Sequence, residues 1–63
     1  MKFNRNIPKI LKDKRKELNL TQAQLAKKIG VKRWSIADYE TGRLRTPLDV
    51  YLSVMELQDE APA

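Results

Sequence analysis

The sequence predicts an all-α fold: a compact domain of four short helices. Three observations lead there. Apolar residues recur at helical spacing in four separate stretches. Each stretch is bracketed by residues that start or stop helices. A 63-residue chain without cysteine buries only about 60% of its unfolded surface, so it depends on dense helix packing or on a partner.

The first helix is expected over about 7–18. Asn6 is a capping residue, and Pro8 sits in the first turn, where a missing N–H costs nothing. Ile7, Ile10, Leu11 and Leu18 form one apolar stripe, and Asn19 is a left-handed terminator. The second helix, 22–29, opens on Thr21-Gln22-Ala23-Gln24, a capping box, and stops at Gly30. Two turns cannot persist alone and must be held by packing. The third, 33–41, has Ile36 and Tyr39 inside and Gly42 as its exit. Thr46-Pro47-Leu48-Asp49 reads as a cap, a first-position proline and a first-turn acid, opening a fourth helix over about 47–57. Residues 1–58 form one domain, and 59–63 are a short acidic tail.

Composition narrows the function. The chain has no cysteine and no histidine, which removes the usual zinc sets and the catalytic triads. No metal site, cofactor or small-molecule ligand is implied, and an enzyme is not expected. No apolar run approaches the roughly 20 residues of a membrane span, so a cytoplasmic protein is expected. Net charge is +5, unevenly placed. Residues 1–45 hold all 13 Lys and Arg with four acids, whereas residues 46–63 hold four acids and no base. One part is a footprint for a polyanion, and the other is built to stay off it.

Gln22, Leu25, Ala26, Ile29, Gly30, Val31, Ile36 and Tyr39 belong together. Two short helices joined by a Gly-containing turn of three or four residues, crossing at about 90–120°, make a helix-turn-helix. Ala26 is small because the next helix crosses close above it. Outside remain Lys32, Arg33, Trp34, Ala37 and Asp38 beside an exposed Gln22, a ridge suited to a major groove.

The string TQAQLAKKIGVKRWSIADYETG, residues 21–42, resembles the Cro and lambda-type repressor (Xre-like) helix-turn-helix family. The likeness extends upstream to Ile7, Leu11, Arg15, Leu18 and Leu20, and downstream to Arg43 and Pro47. It implies a lambda repressor-like fold lacking the usual fifth helix. It also implies a double-stranded DNA operator as partner. Gln22 would bond a phosphate from the start of the second helix. Arg33, Trp34, Ala37 and Asp38 fall on base-facing positions, with Ser35 between them. Arg33 reads guanine through its fork or contacts phosphate. Lys32, Arg43 and Arg45 are expected on the DNA backbone. Arg15 and Glu40 match a buried pair that locks the first helix to the third. Three residues depart from the family pattern. Lys32 replaces a capping Ser or Thr. Trp34 replaces a polar reader and packs on a thymine methyl, stacks on a neighbour or serves a protein contact. Asp38 either accepts from a cytosine amino group or only deters wrong sequences.

The fourth helix carries two apolar strips. Leu48, Tyr51 or Leu52, and Met55 suffice to close the core over the first and third helices. Val50, Val54 and Leu57 then form a second strip, expected as an exposed protein interface, the alternative being an extended core. A regulator of the phage Cro lytic/lysogenic switch type is expected, working as a homodimer or beside a partner repressor. The competing reading is a small modulator, an antirepressor or antitoxin-like protein, binding a larger repressor through the fourth helix. A cationic membrane binder is disfavoured, because such a peptide would not need the turn chemistry after the first helix.

Overall fold

The computed structural model describes residues 6–58 and is all-helical there, with four helices. These are α1 (Ile7–Glu17), α2 (Gln22–Ile29), α3 (Arg33–Thr41) and α4 (Leu48–Met55). The expected acidic tail, 59–63, lies outside the described residues.

The first three helices begin and end where local chemistry places them. Asn6 Oδ1 accepts from the Lys9 amide at 3.3 Å, and Pro8 stands in the first turn. After α1, Asn19 takes φ +59°, and the chain turns into Thr21. Both bonds of the capping box are made: Thr21 Oγ1 accepts from the Gln24 amide at 3.0 Å, and Gln24 Oε1 accepts from the Thr21 amide at 2.8 Å.

The fourth helix differs from expectation in length and in orientation. Pro47 is its cap rather than its first residue: ψ is 151°, and its carbonyl accepts from the Tyr51 amide at 3.0 Å. Thr46 makes no cap, since α4 has no side-chain cap bond. At the other end Leu57 N–H turns back to the Val54 carbonyl at 3.1 Å, a tightened turn that closes the helix before 57.

The core is Leu11, Leu25, Ala26, Ile36, Val50 and Val54. Ile7, Leu20, Ile29, Val31, Tyr39, Tyr51, Met55 and Leu57 pack around it, partly buried. The interface assigned to Val50, Val54 and Leu57 is therefore overturned. Val54 is 1% exposed and Val50 9%, while Leu48 is 70% exposed and Leu52 46%. α4 lies against α1 and α2, and that docking turns the valines inward. Val50 and Val54 meet Leu11, Leu25 and Ile36 around one point, with Glu40 at its edge. Both strips have helical spacing, so periodicity could not choose between them.

Candidate nucleic-acid interface

The site is assembled on α2 and α3. Leu25 and Ala26 are buried on α2. Ala26 is 3% exposed, and its carbonyl accepts from the amides of Gly30 at 2.8 Å and Val31 at 3.0 Å. Gly30 turns the chain at φ +79°. A Cβ there would meet nothing within 4 Å, so the backbone angle and not crowding calls for glycine.

Lys32 caps α3 in the extended region at ψ 150° with no side-chain bond to the helix. Its carbonyl accepts from the Ser35 amide at 3.0 Å. Ile36 points into the core, which turns Trp34 outward, while Arg33 stands at the first position of the helix. Both are exposed, Trp34 by 58%. Ser35, Ala37 and Asp38 are half-buried on the flanks of the same helix.

Gln22 is half-buried and tied inward. Its Nε2 donates to Glu40 Oε1 at 3.2 Å, a contact the sequence did not suggest. Arg15 Nε donates to Glu40 Oε2 at 2.7 Å and Nη2 to Oε1 at 3.1 Å, while Nη1 donates to the Leu20 carbonyl at 2.8 Å. The Arg15 and Glu40 side chains are only 12% and 3% exposed. Among the described residues no buried side-chain nitrogen or oxygen lacks a partner.

The loop after α3 carries the remaining bases. Gly42 exits at φ +83°, and the Asp38 carbonyl accepts from the amides of Arg43 at 3.0 Å and Leu44 at 3.3 Å. Arg43 Nε lies 3.6 Å from Asp38 Oδ1. Arg45 is also exposed, but it stands apart, lining an open groove of about 480 Å³ with Ile7, Pro8, Gly42, Leu44 and Thr46. Elsewhere Lys9 donates to Asp13 at 2.8 Å and holds that carboxyl below its ordinary pKa.

A family model described as helix-turn-helix matches residues 11–55. The chain belongs to the helix-turn-helix family. No curated protein and no solved structure matches it. The match runs from the core residue Leu11 to the last residue of α4 and so takes in the six buried core residues. As a helix-turn-helix protein of the Xre type it is a DNA-binding transcription regulator acting on double-stranded DNA. Its α3 is the helix that such proteins lay in the major groove. Among the described residues no helix is long and apolar enough to cross a membrane.

Proposed function

We propose that this protein is a sequence-specific repressor of the phage Cro switch type, occupying a duplex operator with α3 in the major groove. The carrying observation is the exposed start of α3, where Arg33 and Trp34 are accessible. Arg33 reads guanine O6 and N7 through its planar fork, and Trp34 packs on a thymine methyl. Ser35 and Ala37 are small enough to let the helix approach the base edges. Gln22 anchors a phosphate with its second amide hydrogen, aided by the positive end of α2. Lys32, Arg43 and Arg45 bind phosphates and set the register.

Site selection from random duplexes, followed by titration of the winning site across salt concentrations, tests this reading. A single enriched site with steeply salt-dependent affinity is expected. A protein that enriches nothing, or whose affinity ignores salt, would refute it.

The exposed leucines favour a protein contact as well. Leu48, Leu52 and Leu44 are 70%, 46% and 41% exposed, and the first two lie in the part of the chain that has no base, after Arg45. A second copy meeting there would set two α3 helices on half-sites about 34–36 Å apart, with a palindromic operator. A larger repressor held by the same leucines would make the protein a modulator, antirepressor-like or antitoxin-like. Sedimentation of the protein alone and with a candidate larger repressor distinguishes the two.

A further inference from the structure

α3 carries two acids, and they have opposite fates. Glu40 is buried and consumed by Arg15 and Gln22. Asp38 keeps its side chain 30% exposed, one turn after Trp34 on the same side of the helix. Its only ion pair described is with Arg43, at 3.6 Å, and the Arg43 side chain is 78% exposed. That separation is too long for a hydrogen bond, so the pair is a loose charge contact that another anion can replace. The backbone between them is firm: the Asp38 carbonyl receives the amides of Arg43 and Leu44 and the Thr41 hydroxyl, the last at 3.2 Å. Arg43 thus starts within one side-chain length of Asp38.

A carboxylate on a groove-facing helix repels phosphates and every acceptor on the base edges. Guanine presents O6 and N7 and thymine presents O4, all acceptors. Adenine offers its amino group beside the acceptor N7. Cytosine alone offers an amino group without a neighbouring acceptor in the major groove.

From this geometry we infer that Asp38 is a specificity-determining residue that selects cytosine at one operator position, with Arg43 as its removable counter-ion. The inference rests on the DNA-binding reading above. In the free protein Arg43 offsets the carboxylate. On the operator Arg43 turns to a phosphate, and Asp38 accepts from the cytosine N4 amino group. On a wrong base the carboxylate meets an acceptor and loses its counter-ion for nothing. Discrimination therefore comes from a repulsive element as much as from an attractive one.

The test is site selection and titration with the full chain and three variants, each checked for its helical signal by circular dichroism. The unsubstituted protein should prefer cytosine at one position by roughly 5- to 150-fold over guanine. Asp38→Ala should flatten that position and bind random duplex several-fold more tightly. Asp38→Asn, nearly isosteric and so safe for the fold, should move the preference to adenine, whose N6 and N7 suit an amide. Arg43→Ala should keep the cytosine preference while the slope of log K against log salt falls by about 0.9. An unchanged base preference in Asp38→Ala and Asp38→Asn, with all sequences bound equally more tightly, would overturn the inference and leave Asp38 a mere charge. Absence of DNA binding by the unsubstituted protein would instead refute the underlying reading, and this one with it.

Discussion

Gln22 opens α2 and Glu40 lies near the end of α3, yet the amide nitrogen of the first rests 3.2 Å from the carboxylate of the second. The same carboxylate oxygen accepts from Arg15 Nη2 at 3.1 Å, so one buried acid ties three helices together. A charge removed from water in this way adds little net stability while both partners are present. Its energetic weight shows when one partner is removed. The contact also fixes which hydrogens Gln22 has left to offer DNA, and packing and recognition therefore meet at one residue.

Arg15→Ala should leave Glu40 buried without its counter-ion, held by Gln22 alone, at a cost of about 3–5 kcal/mol. A domain of this size has little more than that to lose. Thermal unfolding should show a collapse of the transition, whereas a double replacement of Arg15 and Glu40 by Met and Leu should fold. A single variant within about 1 kcal/mol of the unsubstituted protein would mean that water reaches the pair.

Val54→Asp is expected to unfold the domain, because Val54 is 1% exposed and its neighbours are Leu11, Leu25 and Ile36. Val54→Ala removes two buried carbons and should cost about 1.6 kcal/mol before any cavity term. Leu48→Gln, on the exposed side of α4, should stay within about 0.5 kcal/mol of the parent. Circular dichroism melts of all three would decide the orientation of α4, and a folded Val54→Asp would reverse it. If Leu48 contacts a partner, sedimentation of Leu48→Gln should show the smaller species at equal concentration.

Lys32 leaves the first amides of α3 without a side-chain acceptor. Lys32→Ser supplies one and should raise stability by about 0.5–2 kcal/mol. For a domain of this size each kcal/mol is worth about 4–8 °C in Tm. DNA affinity should fall at the same time, since a cation near the backbone is lost. A Tm that does not rise would show that the serine hydroxyl fails to reach the amides of α3.

Phosphate and base contacts separate by their dependence on sequence. Neutralising about four to six phosphates gives a slope of log K against log salt near −4 to −5. Gln22→Ala should weaken selected and random duplex alike. Arg33→Ala should cost about 1–3 kcal/mol on the selected site and relax one position. Equal losses on both DNAs for Arg33→Ala would reassign that side chain to the backbone.

What the sequence determined by itself is local. Helix ends follow from groups within four residues of each other: the Asn6 cap, the Thr21–Gln24 box, and the left-handed turns at Asn19, Gly30 and Gly42. The turn from Ala26 to Lys32 is equally local, and with it the exposure of Arg33 at the helix start and of Trp34 opposite Ile36. Family membership was legible for the same reason, as an ungapped run of short-range signals. Only the tertiary structure decided which side of α4 faces inward. Leu48, Leu52 and Met55 repeat with the same period as Val50, Val54 and Leu57, and apolar character cannot rank one strip above the other. The docking of α4 on α1 and α2 ranks them, by setting the rotation of a helix that is apolar on most sides. The bond from Gln22 to Glu40 and the pairing of Asp38 with Arg43 were hidden likewise. The first joins residues 18 apart in sequence, and the second depends on how the α3 carbonyl at 38 gathers the loop. Periodicity carries neither distance, because the first is a property of helices already packed and the second of the path the chain takes out of α3.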